Sequence, residues 1–360
     1  MTRFELFRQV HRIVGSAFSL PLAAVLLVVS FTLASTSAVA QFAGPTQLSF
    51  VNGWSDAPFS TSHATVEEVN GIVQFRGAIS GGTSAVAFTL AAGLRPATTV
   101  YVPVDLCNAN KGRLIIQTTG VVSIQAEKLF SDAQCFTSLD GASFAPQATS
   151  FTSLTVMNGW TNAPFGTSNA AARKISGIVH FKGAIATSGT SSVPFTLPAG
   201  FRPATDVYVT VDLCNANKGR LHITPTGVVD VEAETAFSNA QCFTSLDGAW
   251  FAPTASGFAS LQLINGWTNA PFATSNAQAE NKYGIVYFKG AIATTGTNSQ
   301  PFTLAARFRP VTNVYIPVDL CGANKGRLLI QTSGVVTVQA EKAFSDAQCF
   351  TSLDGASFVQ

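Results

Sequence analysis

The sequence has 360 residues, of which 47% are hydrophobic and only 11% are charged. The segment 1–40 contains Arg3, Arg8, Arg12 and Glu5, out of 21 basic and 19 acidic residues in the chain, so the segment 41–360 holds 18 of each and is formally neutral. No run of Lys or Arg occurs in that part. This composition argues against nucleic acid and anionic membrane surfaces as partners.

The segment 1–40 has the pattern of an export signal. Its three arginines give a positive start, an apolar run follows over residues 13–33, and the small residues Ala38 and Ala40 mark a cleavage site. We expect residues 1–40 to be a signal peptide and the mature protein to be secreted or held at the cell surface, with no membrane contact after cleavage. Because the apolar run is long, an uncleaved membrane anchor stays as the alternative.

After the signal, the chain repeats one pattern three times. Each copy opens with Asn-Gly-Trp, at Asn52, Asn158 and Asn265, and closes with CFTSLDGA. The copies are spaced by about 107 residues, the size of a small domain rather than of a solenoid unit. We therefore predict three tandem domains, listed by their bounds: residues 47–146, 153–253 and 260–360.

The first copy shows a succession of short strand patterns. In chain order the predicted strands are 71–79, 87–90, 99–106, 113–117 and 121–125, followed by a last strand region from Cys135 through the turn Ser138-Leu139-Asp140-Gly141 to Phe144. Segments 113–117 and 121–125 flank Thr-Thr-Gly and predict a hairpin. No convincing helical period appears. The fold class is all-β, with three tandem antiparallel β-sandwich domains of jelly-roll-like type.

The segment over residues 99–106 has the clearest alternation. Val100, Val102, Val104 and Leu106 share one face, which predicts a core-facing side. Pro103 lacks an N–H donor and predicts an edge strand or a bulge.

The six cysteines occur in pairs, two in each copy and 28 positions apart. We predict one disulfide per domain, in keeping with an oxidising compartment, with the pairs Cys107–Cys135, Cys214–Cys242 and Cys321–Cys349. A metal site is the weaker alternative, because no shared Cys or His completes a tetrahedral shell.

Several segments together resemble a known family. GWTNAPF, GIVHFKGAI, PFTLPAGFRPATDVYV, GRLHITPTGVV and SLDGAWF in the second copy are similar to the small β-domain at the ends of phage tail fibres and related tail proteins. The resemblance covers each copy nearly end to end. It implies an antiparallel β-sandwich that serves as a receptor-binding or fibre-tip head, often in trimers, and it implies no catalytic residues. The export signal, the paired cysteines and the lack of a fibre shaft depart from that family.

Residues suited to catalysis are scarce. No histidine occurs at the same position in two copies, which excludes a repeated His-dependent triad or zinc site. The candidate confined to one copy is His222 with Asp230 and Glu232 across a predicted hairpin, although solvated strand faces explain these residues as well. We expect no catalytic residue, no metal and no cofactor.

Three carboxylate positions occur in every copy, and the near-identity of the copies makes that sharing uninformative. They are Asp105, Asp212 and Asp319; Glu127, Glu234 and Glu341; Asp140, Asp247 and Asp354. We expect Asp105 to pair with Arg113 or Lys111 across the turn between them. Asp140 suits a turn former.

The aromatic residues after each copy's opening are the candidate ligand-binding residues: Trp54, Trp160, Trp267, Phe59, Phe165 and Phe272. An indole face can stack on a sugar ring and adds an N–H donor. The structural alternative is that each Trp fills one end of its sandwich.

These features predict an exported bacterial surface-binding or adhesive protein, with a repetitive surface glycan or another polymer as its partner. A structural envelope or spacer protein without a ligand is the alternative, and a polysaccharide hydrolase is less favoured. The short joints and similar copies also suggest an intrachain pseudo-trimer, in which the three copies pack about a threefold axis.

Overall fold

A computed structural model describes residues 44–360 of the chain, and these residues form three copies of one strand-rich unit. The predicted signal peptide or anchor at residues 1–40 lies outside the described residues. No helix in the described part has the length and apolar character needed to cross a membrane.

Each repeat contributes eleven strands. In repeat 1 they are β1 (Thr46–Gln47), β2 (Ser55–Asp56), β3 (Thr65–Val69), β4 (Ile72–Arg76), β5 (Ala78–Ser80), β6 (Val86–Thr89), β7 (Val100–Asp105), β8 (Lys111–Ile116), β9 (Val121–Ala126), β10 (Thr137–Ser138) and β11 (Ser143–Phe144). In repeat 2 they are β12 (Thr152–Ser153), β13 (Trp160–Asn162), β14 (Ala171–Ile175), β15 (Ile178–Lys182), β16 (Ala184–Thr187), β17 (Phe195–Thr196), β18 (Val207–Asp212), β19 (Lys218–Ile223), β20 (Val228–Ala233), β21 (Thr244–Ser245) and β22 (Trp250–Phe251). In repeat 3 they are β23 (Ala259–Ser260), β24 (Trp267–Asn269), β25 (Gln278–Lys282), β26 (Ile285–Lys289), β27 (Ala291–Thr294), β28 (Phe302–Thr303), β29 (Val314–Asp319), β30 (Lys325–Ile330), β31 (Val335–Ala340), β32 (Thr351–Ser352) and β33 (Ser357–Val359).

Helical structure in each repeat is limited to one short α-helix and three single 3₁₀ turns. The α-helices are α1 (Phe130–Cys135), α2 (Phe237–Cys242) and α3 (Phe344–Cys349). The 3₁₀ turns are Pro58–Ser60, Ala92–Leu94, Cys107–Ala109, Pro164–Gly166, Ala199–Phe201, Cys214–Ala216, Pro271–Ala273, Ala306–Phe308 and Cys321–Ala323.

The strands of each repeat form three antiparallel sheets. In repeat 1 the orders are β1-β3-β4-β11, β6-β9-β8-β7 and β10-β5-β2, and the other repeats follow the same plan. All nine sheets draw their strands from a single repeat. The predicted tandem antiparallel β-sandwich is therefore confirmed.

Strand β7 shows how the sequence pattern sets the packing. Val100, Val102, Val104 and Leu106 are all buried, as their alternation predicts. The strand lies at the edge of its sheet, where Pro103 costs no ladder hydrogen bond. Each repeat closes its own apolar core around such strands.

The segment 71–79 is not one strand, contrary to the sequence-based prediction. It forms β4 and β5, which break at Gly77 and belong to different sheets. Gly77 has φ +89°, and a Cβ there would lie 2.5 Å from the carbonyl oxygen of Ser62. A glycine is required because the chain turns sharply against a neighbouring backbone as it changes sheets.

Helix α1 was not predicted, because a helix this short shows no helical period. Cys135 at its last position bonds to Cys107 in the 3₁₀ turn after β7, and the equivalent pairs bond in the other repeats. The Cα–Cα distances are 5.6–5.7 Å, within the usual range for disulfides. The three predicted disulfides are confirmed.

The repeats contact one another in a closed cycle. The backbone N–H of Thr99 in repeat 1 donates to Gly166 in repeat 2, Asp206 in repeat 2 donates to Ala273 in repeat 3, and Asn313 in repeat 3 donates to Ser60 in repeat 1. The N···O distances are 3.0–3.1 Å. The described residues accordingly belong to a single compact unit rather than to three separate bodies.

A second apolar cluster joins the repeats. Residues of all three contribute to it: Val69, Ile178, Trp250, Ala252, Ile285 and Tyr287. The Trp250 and Tyr287 rings meet edge to face, with centroids 4.9 Å apart. This cluster is separate from the three cores, so the repeats are joined by buried apolar surface as well as by hydrogen bonds.

Candidate functional site

The three tryptophans predicted as ligand-binding residues are buried. Trp54 donates its Nε1–H to the carbonyl of Ser84 at 2.8 Å, and Trp160 and Trp267 form the equivalent bonds. The Trp54 ring also packs edge to face against Phe130. The prediction of indole platforms for sugar is therefore corrected: these rings fill one part of each sandwich and their N–H groups are already used.

The phenylalanines in the same loops are exposed. Phe59, Phe165 and Phe272 have relative exposures of 58%, 64% and 59%. Each adopts a left-handed backbone conformation, with φ of 53–55°, inside its 3₁₀ turn. A bulky residue seldom adopts that conformation, and such strain tends to occur at binding and catalytic sites. The loop thus presents an aromatic ring to solvent from a constrained backbone.

Each exposed ring begins an aromatic stack that crosses to another repeat. Phe59 packs edge to face on Phe136, with centroids 5.5 Å apart, and Phe136 packs in the same way on Tyr315 of repeat 3 at 4.9 Å. The stack lines a cleft of about 330 Å³, including space open to solvent. The cleft is lined by Phe59, Cys107, Asn108 and Phe136 of repeat 1 and by Tyr315 and Arg327 of repeat 3.

The same stack occurs at the other two contacts between repeats. Phe165 and Phe243 of repeat 2 meet Tyr101 of repeat 1. At the third contact, Phe272 and Phe350 of repeat 3 meet Tyr208 of repeat 2. The sequence analysis named the phenylalanines as candidates but not the tyrosines, because each tyrosine lies in a different repeat, far along the chain from its phenylalanine.

An arginine guanidinium lies over the ring of each tyrosine and also pairs with a buried aspartate of another repeat. The Arg327 Cζ lies 4.9 Å from the Tyr315 ring centroid, and its NH1 donates to Asp105 Oδ2 of repeat 1 at 2.9 Å. The predicted pairing of Asp105 with Lys111 or Arg113 of its own hairpin is therefore wrong. The partner types are right, but Asp105 pairs with Lys325 and Arg327 of repeat 3.

Equivalent ion pairs close the cycle. Lys111 and Arg113 of repeat 1 pair with Asp212 of repeat 2, and Lys218 and Arg220 of repeat 2 pair with Asp319 of repeat 3. Together with Asp105, Lys325 and Arg327, these residues make nine, and we call them the buried ring. All three Lys–Asp pairs are inaccessible to solvent, and each lysine Nζ also donates to two backbone carbonyls. Burial lowers the pKa of each lysine, and the negative charge of its aspartate partner offsets part of this lowering.

The third contact between repeats differs chemically from the other two. Asn108 and Asn215 are exposed beside the first and second aromatic stacks, whereas Gly322 takes that place beside the third. At the third contact His222 also stacks on Tyr208, with centroids 4.3 Å apart and planes at 4°. The clefts share their aromatic stack but not their hydrogen-bonding groups.

The predicted cluster of His222, Asp230 and Glu232 is brought together, with candidate ligand atoms within 4.8 Å of one another. Two of its members have other contacts, however. His222 Nε2 lies 3.3 Å from Asp206 Oδ2, and Glu232 accepts two hydrogen bonds from Arg220 at 2.6 and 2.9 Å. These contacts explain His222 and Glu232 as part of the strand surface at the third contact between repeats, whereas Asp230 Oδ1 is buried and accepts no hydrogen bond within residues 44–360.

The other two shared carboxylate positions have separate environments. Asp140 is buried in its turn and accepts a hydrogen bond from the Gly77 N–H at 2.8 Å, and burial raises its pKa to about 7. Glu127, Glu234 and Glu341, one from each repeat, meet at the centre of the cycle with candidate ligand atoms within 4.8 Å of one another. No sequence argument placed these glutamates together, because each lies in a different repeat.

No protein-family model and no curated protein matches the sequence. The clefts and the central glutamates are therefore interpreted from their own geometry.

Proposed function

We propose that this chain is an exported surface-binding protein that holds a repetitive glycan, or another surface polymer, in the three clefts between its repeats. The observation that carries this proposal is the exposed, backbone-strained phenylalanine at the mouth of each cleft. A spacer without a ligand has no need of such a residue.

The chemistry around the exposed ring suits a sugar. An aromatic face supplies apolar contact for the C–H face of a pyranose, while side-chain amides and guanidinium groups donate to its hydroxyl oxygens. In the first cleft Phe59, Asn108 and Arg327 offer these three groups together. The lining contains no carboxylate, so the cleft offers no acid–base pair for glycoside hydrolysis.

Three clefts in one chain suit a repetitive partner. The first cleft is open to solvent, and we expect it and the equivalent places at the other two contacts to bind a short glycan weakly. Once one cleft is occupied, the others meet the same polymer at a high effective concentration, which can raise the overall affinity by about 10²–10⁴. The cyclic contacts support a pseudo-trimer within one chain, similar to the trimeric heads of the tail proteins that the sequence resembles.

Export is part of the proposal. Three disulfides are compatible with an oxidising compartment outside the cytoplasm. A glycan-binding protein of this type would act on the surface of its own cell or of a neighbouring one.

The proposal is tested by binding to a glycan array and to immobilised capsular polymers. The triple variant Phe59→Ala, Phe165→Ala and Phe272→Ala should lose at least ten-fold in apparent affinity, because the exposed rings contribute little to the core. Leu129→Ala with Val311→Ala is the matched control, since these side chains are as exposed but lie outside the cleft lining.

Single variants sharpen the test. Phe59→Ala or Phe165→Ala should weaken binding more than Phe272→Ala, because the third cleft has Gly322 in place of an asparagine. Binding that survives the triple variant would overturn the cleft assignment. No binding by the wild-type protein to any glycan or polymer would favour the spacer function, and release of free sugars would favour a hydrolase.

A further inference from the structure

The three central glutamates form an incomplete set of ion pairs. Lys128 of repeat 1 donates to Glu341 of repeat 3 at 2.5 Å, and Lys342 of repeat 3 pairs with Glu234 of repeat 2 at 2.7 Å. In both pairs the lysine of one repeat pairs with the glutamate of the repeat before it in the cycle. The residue at position 235 of repeat 2 would therefore pair with Glu127 of repeat 1. That residue is Thr235, and Glu127 has no ion-pair partner among the described residues.

Two oxygens in this set are buried without a hydrogen bond. The side chains of Glu234 and Glu341 are 5% and 2% exposed, and the Oε2 atom of each accepts no hydrogen bond within residues 44–360. A buried carboxylate oxygen without a donor is costly, because it has lost water and gained nothing in exchange. These two oxygens indicate that a positively charged or hydrogen-bonding group is needed there.

The pairing within this set leads to the same conclusion. Two lysines serve three glutamates, which leaves Glu127 without an ion-pair partner in the described part of the chain. The lysines behind them, Lys111, Lys218 and Lys325, are each paired with an aspartate of the buried ring. In keeping with this, burial and the other two glutamates raise the pKa of Glu127 to about 7.

We propose that Glu127, Glu234 and Glu341 bind one divalent cation of the calcium type at the centre of the cycle. Three oxygens no more than 4.8 Å apart have a centre at most about 2.8 Å from each, since that distance is 4.8 Å divided by the square root of three. Calcium–oxygen distances are about 2.3–2.6 Å, so a small inward movement of the side chains completes the contact. Second carboxylate oxygens and water supply the remaining ligands of a shell of about six to eight.

The two lysines do not prevent this binding. Lys128 and Lys342 are 54% and 51% exposed, so each ammonium group already lies partly in water and is readily hydrated when it leaves its glutamate. A cation can therefore take over both glutamates while the lysine ammonium groups move into solvent. The buried ring does not change, because its lysines keep their aspartates.

The test compares the melting temperature of the EDTA-treated full chain with and without calcium. About 5 mM CaCl₂ exceeds the dissociation constants of about 10⁻⁴–10⁻³ M that are typical of extracellular calcium sites. We expect the wild-type melting temperature to rise by about 2–4 °C over NaCl of equal ionic strength. Glu127→Gln should remove this rise, because it removes the one glutamate without a lysine.

A second variant keeps the test valid if Glu127→Gln is itself unstable. Thr235→Lys places an ammonium group opposite Glu127 and should reduce the calcium response, because the cation must then displace three lysines instead of two, while the protein stays folded. Glu68→Gln, on an exposed strand position, should keep the full response. The proposal is overturned if calcium leaves the wild-type melting temperature unchanged, or if the full rise persists in both Glu127→Gln and Thr235→Lys.

Discussion

Two sets of ion pairs join the repeats at the centre of this molecule, and they differ in burial and in completeness. In the buried ring all three aspartates receive a lysine and an arginine from another repeat, and the Lys–Asp pairs are fully buried. Among the central glutamates only two of three receive a lysine within the described part of the chain, and both lysines are half exposed. The cyclic geometry is the same in both sets, but repeat 2 lacks its lysine only in the second.

The difference shows how burial limits divergence between copies. Removing one member of a buried pair leaves an uncompensated charge at low dielectric, at a cost of about 3–5 kcal/mol. Removing a half-exposed lysine costs less, because its ammonium group is already partly in water and it is a weaker partner, although the glutamate that it leaves is buried. Thr235 is therefore tolerated, whereas an equivalent loss in the buried ring would unfold the contact between two repeats.

The largest expected effect comes from Asp212→Ala in the buried ring. The change leaves Lys111 and Arg113 of repeat 1 buried without their carboxylate, and we expect a loss of about 3–5 kcal/mol in the free energy of unfolding. Urea denaturation followed by tryptophan fluorescence measures it. Lys128→Ala removes a half-exposed lysine from the central glutamates and should cost less than Asp212→Ala, because only the glutamate of that pair is buried. Equal losses in the two variants would contradict the comparison.

An uncharged contact between repeats gives the next largest effect. Gly248 has φ +80°, and a Cβ there would lie 2.9 Å from Val102 of repeat 1. Gly248→Ala should therefore destabilise the chain by about 1–3 kcal/mol, through backbone strain and displacement of the neighbouring strand. Gly200→Ala is the matched control, because no atom lies within 4 Å of its Cβ position and its φ is not positive. An equally large loss of stability in Gly200→Ala would show that neither the positive φ nor the contact with Val102 is the cause.

Features set by near neighbours in the sequence could be predicted. The alternation in β7, the disulfide spacing and the hairpin of β8 and β9 each depend on residues close in the chain. Arg95 is also held by a near neighbour, since its Nε–H donates to the carbonyl of Leu90 in the same loop and so anchors a turn. Two boundaries were missed for equally local reasons: the break at Gly77 and the short helix α1.

Features that depend on another repeat could not be predicted. Asp105 lies opposite Lys111 in its own hairpin, but its side chain reaches Lys325, 220 positions away. Because the repeats are nearly identical, the sequence cannot distinguish a lysine of the same copy from the equivalent lysine of another. The tyrosines of the clefts and the meeting of the three glutamates were missed for the same reason. The sequence also left open whether Trp54 is exposed or fills one end of its sandwich, and its burial depends on how the loop packs.

The smallest expected effect is a difference in pH dependence that isolates Glu127. Its pKa of about 7 in the folded protein lies above the ordinary value of 4.5, so the folded state holds a proton that the unfolded state loses first. Its contribution to stability is therefore complete below pH 4.5 and falls as the pH rises to about 7. Buried Asp140, Asp247 and Asp354 act in the same direction, but they do so equally in a variant at position 235.

Thr235→Lys should reduce the part of this loss that belongs to Glu127, because the new ammonium group favours the ionised carboxylate. In EDTA, we expect the variant and the wild-type protein to have similar urea midpoints at pH 4.5. The variant should gain steadily up to about pH 7 and keep a constant advantage above it. Parallel pH profiles would show that residue 235 does not face Glu127, and the incomplete set of ion pairs would then have to be explained by other contacts.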